Sequence, residues 1–166
     1  MLDILEKFFE NARGRKLVAI EFLRLGLKVD GTGKIYVGEI EIAPTKIGRA
    51  LGVDRRVVIE TAKEIANDEK LLQIFYKLES RSFIANAAKE FGFDVVELRA
   101  NPKAKGIVAE VTKILADCGI VIRQIITDDP ELFPDPVLTI IINGKLNAKV
   151  VKKLKELSFM ESLKIR

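Results

Sequence analysis

The chain contains no histidine and no tryptophan, and a single cysteine, Cys118, in 166 residues. Without histidine, Ser-His-Asp and Cys-His nucleophilic catalysis and histidine-ligated zinc are excluded. One cysteine closes no internal disulfide and fits a reducing, cytoplasmic setting. Nothing basic and catalytic accompanies Cys118, so it reads as a small apolar group near a helix end and not as a nucleophile. No apolar run approaches the ~20 residues of a membrane-spanning helix. The first ten residues, Met-Leu-Asp-Ile-Leu-Glu-Lys-Phe-Phe-Glu, carry acids and lack a signal-peptide layout. These absences point away from an enzyme and from a membrane partner. What remains, 48% hydrophobic and 31% charged residues, describes a globular chain able to bury a core.

Hydrophobic period divides that chain in two. Leu5, Phe8, Phe9, Ala12, Leu17, Ile20 and Phe22 recur at helical spacing and predict helix over Leu2–Leu25, with Gly14 as the place to split it. Asp30-Gly-Thr-Gly33 is a turn signal, and Lys34–Val37 with Glu39–Ile42 alternate like strand. The Gly-Thr-Gly-Lys string lacks the glycine, lysine and hydroxyl spacing of a phosphate loop, which leaves a hairpin turn. Asp68–Leu78 is expected to be a helix with Leu71, Leu72, Phe75 and Leu78 inward. Ser82–Phe91 reads as a connecting helix ending at Gly92.

From Phe93 the period changes. Strands are expected at Val95–Leu98, Ile120–Thr127, Val137–Ile142 and Ser162–Ile165, with helices at Gly106–Cys118 and, capped by Asn147, Ala148–Leu157. The order is β-α-β-β-α-β, a split βαβ or ferredoxin-like sheet with both helices on one face. The fold class is therefore α+β. Residues 1–80 form a helical head, 81–92 a connection, and 93–166 a second domain.

The most informative stretch is Pro44–Lys63. It reads as two short helices joined at Gly52 and Val53, a helix-turn-helix with or without an accompanying wing. Pro44 suits a first helical turn, Asp54 suits an N-cap, and the small Gly48 lets the helices cross closely. Ile47, Leu51, Val53 and Val58 supply inward positions. Thr61 stands where a larger aliphatic is usual, so the contact there is looser or falls to Ala62 and Ile65. A second helix of this kind enters the DNA major groove N-terminus first. Its outward face holds Arg55, Arg56, Ile59, Glu60 and Lys63. Arginine can bond guanine bidentately, so Arg55 and Arg56 are the candidate base readers. Lys46, Arg49 and Lys63 fit phosphate contacts. The bland alternative is a helical hairpin with a solvated basic face. Residues 1–80 hold fourteen basic and thirteen acidic side chains, so a dimer pooling two surfaces is expected and not a tight monomeric binder.

For the second domain, an RNA-recognition module would need aromatics on its central strands, and Val95–Leu98 and Val137–Ile142 have none. No catalytic set converges, which leaves a ligand-binding regulatory module. Asn101-Pro-Lys-Ala-Lys-Gly106 followed by Ile107–Ile122 resembles the start of an ACT domain, a family that uses this fold to bind amino acids between paired domains. Gly106 matches the family's helix-opening glycine, while Lys105 replaces its proline. The resemblance implies ligand contacts from Asn101, Lys103, Lys105, Gly106 and Ile107, with a carboxylate at the helix N-terminus. Val121 stands where serine-binding members carry asparagine.

Over nearly its whole length the chain resembles archaeal predicted regulators of amino-acid metabolism, which join a DNA-binding head to an ACT domain. The strings Lys34–Ile42, Val53–Val58 and Ile122–Leu132 carry that likeness. The resemblance implies a homodimer or higher homo-oligomer, DNA and a small-molecule effector as partners, and no cofactor. Arg123 and Gln124, with Asp128 beyond them, could complete a site for a zwitterion, arginine gripping the carboxylate and aspartate the ammonium. Asp128, Asp129 and Glu131 equally suit a solvated loop stiffened by Pro130, Pro134 and Pro136. As a cation site that loop offers too few oxygen ligands. The runner-up function is an amino-acid-binding module that regulates by protein contact, without sequence-specific DNA binding.

Overall fold

Phe9, Phe22 and Phe75 are the bulkiest side chains fully withdrawn from solvent, and they share a core that the N-terminal half builds by itself. In the computed structural model, which describes residues 2–101 and 103–166, the chain divides into two units, Met1–Ser82 and Phe83–Arg166. It is mixed α and β, with two antiparallel sheets. No helix among the described residues is long and apolar enough to cross a membrane.

The first unit runs α1 (Leu2–Phe8), α2 (Arg13–Leu25), β1 (Lys28–Val29), β2 (Ile35–Val37), β3 (Ile40–Glu41), α3 (Pro44–Leu51), α4 (Arg55–Asn67) and α5 (Glu69–Phe75). Its sheet has the order β1-β2-β3 and precedes α3 and α4 in the chain. Phe22 of α2 meets Phe75 of α5 edge-on, with ring centroids 6.5 Å apart.

Two expectations need correcting here. The N-terminal helix breaks at Phe9–Ala12, before Gly14: Ala12 leaves helical geometry (φ −129°, ψ 65°), and the turn brings Leu5 and Phe22 into one core. Gly14 lies inside the first turn of α2, beside the Val57 side chain, where packing and not termination suits it. The helix expected over Asp68–Leu78 stops at Phe75. Asp68 caps it, its Oδ1 accepting from Leu71 N at 2.9 Å, and Ile74 takes the place in the core expected of Leu72.

The second unit runs β4 (Phe93–Ala100), α6 (Ile107–Asp117), β5 (Ile122–Thr127), β6 (Leu138–Asn143), α7 (Ala148–Lys155) and β7 (Met160–Ile165), in the expected β-α-β-β-α-β order. The strands lie β5-β6-β4-β7. Val96 and Leu98 of β4, with Ile140 and Ile142 of β6, pack against Val111 and Leu115 of α6 and Val150 and Leu154 of α7. The Asn147 side chain caps α7 by accepting from Val150 N at 3.0 Å.

The sheet's other face is also covered. Ala85–Phe91 is a 3-10 helix, and its Ala85 and Ala88 pack on Val95 and Ile141. With three residues per turn, positions three apart share a face, and two alanines there allow close approach to the sheet. The connection expected over 81–92 is therefore largely part of the second unit, whose boundary falls at Phe83 and not Phe93. Cover on both faces also explains why β6 is buried without a break from Leu138 to Ile142, Thr139 included.

Candidate functional site

The junction of α3 and α4 is built tightly. Pro44 occupies the first turn of α3, and Gly52 ends it in the left-handed region at φ 67°. Val53 N then donates back to Gly48 O at 2.9 Å. The Asp54 carboxylate caps α4 by accepting from Arg56 N at 2.7 Å. A Cβ on Gly48 would lie 2.8 Å from Val53 O and 3.3 Å from Arg55 Cα, so only glycine allows this crossing without displacement. Beneath it Ile47, Val58, Ala62 and Ile65 are buried. Thr61 is buried with them, its hydroxyl donating to Val57 O at 2.7 Å. A back-bond to the preceding turn satisfies that hydroxyl.

Lys46, Arg49, Arg55, Arg56 and Lys63 are exposed, and Ile59 is half-buried. Arg56, Ile59 and Lys63 follow one another at helical spacing along α4. Elsewhere in this unit Arg15, Arg24 and Arg81 each hold a glutamate. Among the described residues, the five cations on α3 and α4 hold no carboxylate. Farther along α4 the charges balance, with Glu60 and Lys63 exposed and Glu64 bound to Arg15 at 2.8 Å. The positive charge is thus concentrated on α3 and the start of α4.

The hairpin turn 30–33 abuts α4, and a Cβ on Gly33 would sit 3.5 Å from Lys63 Cα and Cγ. Asp30 organises that turn. Its carboxylate accepts from Thr32 N and Oγ1, Lys34 N and Tyr36 OH at 2.7–3.0 Å. Burial alone would push this carboxyl up; the four donors outweigh it and bring it from 3.8 to about 2. Burial, followed by the bond to Asp30, raises the Tyr36 phenol. The Lys34 ammonium is raised by its bond to Glu41.

In the second unit the residues expected to form one ligand site fall into separate places. Asn101 folds its own loop: Oδ1 accepts from Lys103 N at 3.0 Å, and its carbonyl accepts from Ala104 N at 2.9 Å. Lys103 and Lys105 are exposed, and Gly106, at φ 82°, opens α6 with no side-chain cap. Ile107 begins α6. Arg123 and Gln124 lie elsewhere. The Arg123 guanidinium stands 5.2 Å from the centre of the Phe93 ring, and Gln124 Oε1 accepts from Ile84 N at 3.3 Å. Gln124 pairs with Ile141, which faces the 3-10 helix and not α6. Arg123 and Asp128 therefore do not close on one zwitterion.

Asp128 Oδ2 instead accepts from Val137 N at 3.1 Å, which closes the loop between β5 and β6. Asp129 Oδ1 accepts from Glu131 N at 2.8 Å, and Asp135 pairs with Arg99. Among the described residues no group of three metal-ligating side chains forms.

A cavity of about 130 Å³ does lie at this end of the sheet. Leu98 and Ala100 of β4, Ile107 and Val108 of α6 and Val137 and Leu138 at the start of β6 form its apolar walls. Thr127 and Asp128 give it a polar rim. Of the residues expected from sequence, Ile107 and Asp128 line it. Ala100, Thr127 and Val137 were missed, and so was Val108. Val108 belongs by pattern to the apolar face of α6 with Ile107, Val111, Ile114 and Leu115, yet it remains 41% exposed.

No protein-family model matches the chain, and no curated protein does. Among solved structures, one described as the crystal structure of PH0061 is similar over 75% of this chain and 78% of that one, at 10% identity and a TM-score of 0.28. A likeness that loose carries no functional argument.

Proposed function

We propose that the chain is a metabolite-responsive transcriptional regulator, not an enzyme. In this reading α3 and α4 act as a helix-turn-helix on DNA, and the second unit acts as an ACT-like, ferredoxin-like sensor for an amino acid. The observation that carries it is the set of exposed cations on α3 and α4 without a carboxylate partner, set on a helix junction held by Gly48, Gly52 and the Asp54 cap. Unneutralised arginines at the start of a well-anchored helix suit base edges and N-terminus-first entry into the groove. Thin net charge in this half argues for pooling two heads, which would read half-sites about one DNA turn (~34 Å) apart. Ligand would act by binding two arrangements of those heads unequally.

The test begins with selection of bound fragments from genomic DNA by the full chain. Arg55→Ala with Arg56→Ala is expected to abolish discrimination between selected and random DNA, at about 1–3 kcal/mol per good arginine–guanine pair. Lys46→Ala or Arg49→Ala should weaken all sequences alike and lower the salt slope by about one. Operator affinity unchanged in the double variant would refute the reading. Weak, sequence-independent binding by the parent chain would favour regulation through protein contact instead.

A further inference from the structure

We infer that the exposed lysine face of α7 is a second nucleic-acid contact, one that grips the phosphates of duplex DNA without reading their sequence. The inference rests on the DNA-binding role proposed above and adds a second surface to it. Residues 145–155 hold five lysines and no acid, whereas residues 44–63 hold five basic and two acidic side chains. The densest positive charge of the chain therefore lies in the second unit. All five of its lysines, Lys145, Lys149, Lys152, Lys153 and Lys155, are exposed. Val150 and Leu154, buried in the core under the sheet, fix the helix that carries four of them. Lys152 reaches Glu156 only at 4.0 Å, and Lys153 Nζ lies 3.9 Å from the Cys118 sulfur. Among the described residues, Lys145, Lys149, Lys153 and Lys155 hold no carboxylate.

Helix electrostatics account for only part of this charge. Cations in a last helical turn meet the negative end of the helix dipole, which suits Lys152, Lys153 and Lys155. Lys149 stands in the first turn, where the same dipole opposes it by about 0.3–1 kcal/mol and no acid compensates. An anionic partner outside the chain would offset that cost. The composition of the face selects the partner. Lysine presents a point charge on a flexible stem, suited to phosphate and not to bidentate reading of a base. Between residues 143 and 159 no large apolar side chain is exposed, so an unpaired base has nothing to stack on and a lipid interface nothing to take up. Protein interfaces centre on apolar and aromatic groups and are depleted in lysine. Duplex DNA needs none of these. It carries one charge per ~1.7 Å of axis, so the ~12 Å length of α7 runs beside about seven phosphates.

The test is a salt titration of the full chain, by fluorescence anisotropy, on a labelled random-sequence duplex and on the selected operator fragment. Lys145→Gln, Lys149→Gln and Lys153→Gln together should reduce the slope of log affinity on log salt by about 2.7, at about 0.9 per phosphate contact, on both duplexes alike. Between about 50 and 200 mM salt the parent should then lose roughly 40-fold more affinity than the variant. Arginine at the same three positions should restore the parent slope. Lys89→Gln, Lys103→Gln and Lys105→Gln together remove equal charge from elsewhere in the second unit and should reduce the slope by less than about one. An unchanged slope in the first set, or an equal fall in the control set, would overturn the inference. Poly-L-glutamate bound by the parent and released by the variant, with DNA affinity unmoved, would assign the face to an acidic polypeptide and overturn it too. Lys149→Gln alone should not lower the melting temperature; a clear fall would give Lys149 a structural partner inside the chain and count against the inference. These outcomes are separable from the helix-turn-helix reading. If the Arg55 and Arg56 variants lose operator discrimination while the α7 set changes nothing, the regulator stands and this face falls. If the α7 set acts as expected while the Arg55 and Arg56 variants keep their discrimination, the face stands and the helix-turn-helix reading falls. A parent chain that binds neither duplex overturns both.

Discussion

Gly48→Ala is the sharpest test of how the two helices of the N-terminal unit are held. The added methyl would lie 2.8 Å from Val53 O and 3.3 Å from Arg55 Cα, both backbone atoms that cannot swing aside. Restoring an ordinary carbon–oxygen contact requires a displacement of about 0.5 Å or more between α3 and the start of α4. Overpacking of that kind costs about 1–3 kcal/mol. Against it stands helix propensity, since alanine inside a helix gains about 0.8–1.0 kcal/mol over glycine. The steric term exceeds the propensity term over most of that range, so a net loss of up to about 2 kcal/mol, centred near ~1 kcal/mol, is expected. The chain supplies its own probe. With no tryptophan, its fluorescence comes from Tyr36 and Tyr76, and both lie in the first unit. Urea unfolding followed by tyrosine emission therefore reports on that unit without assuming that the whole chain unfolds in one step. The Gly48 variant should show a lowered midpoint at unchanged slope. A midpoint equal to or above the parent's would mean that propensity outweighs the steric clash, and the account of a close helix crossing would be wrong.

The same probe tests the hairpin turn. Asp30 sits below its unfolded value, so its contribution is present above pH ~4 and is lost as pH falls toward about 2. The stability gap between parent and Asp30→Asn should be about 1–2 kcal/mol at pH 6 and shrink steadily to pH 3; a gap that does not change with pH would refute the assignment. In the second unit, Ala88→Leu drives a larger side chain between the 3-10 helix and Val95 with Ile141, where Ala88 has no exposed surface. A loss of about 1–3 kcal/mol is expected in thermal unfolding followed by circular dichroism, with tyrosine emission in urea unmoved. A fully stable variant would show that the 3-10 helix does not bear on the sheet.

Much of the architecture was legible because period and punctuation agreed. The switch of period at Phe93 placed the second sheet, and Pro44, Gly52 and Asp54 marked the α3–α4 junction by backbone chemistry that allows few alternatives. The misses share one cause, which is that tertiary contact outweighs local pattern. Leu72 is as apolar as Ile74, yet α5 packs Ile74 against the core, three residues after the buried Leu71 and so on the same face. The 3-10 helix was invisible as cover for the sheet because Ala85 and Ala88 carry little apolar signal of their own. Their smallness is what the packing requires, and a hydrophobicity pattern scores it as nothing.

The candidate sites divide on the same ground. The cations of α3 and α4 were readable because a helix fixes which residues share a face, so Arg56, Ile59 and Lys63 could be aligned without coordinates. The cavity beside β4 was not, since a strand reverses its face at every residue and a bulge shifts that parity. The register of β5 slips between Ile122 and Gln124, and this sets Gln124 opposite Ile141, on the side facing Ala85 and Ala88. Polar residue type had drawn Arg123, Gln124 and Asp128 together, whereas the fold joins Asp128 to Ala100, Val108 and Val137. Residue chemistry suggested a charged clamp on a zwitterion; the geometry leaves one carboxylate at the rim of a hydrocarbon cavity.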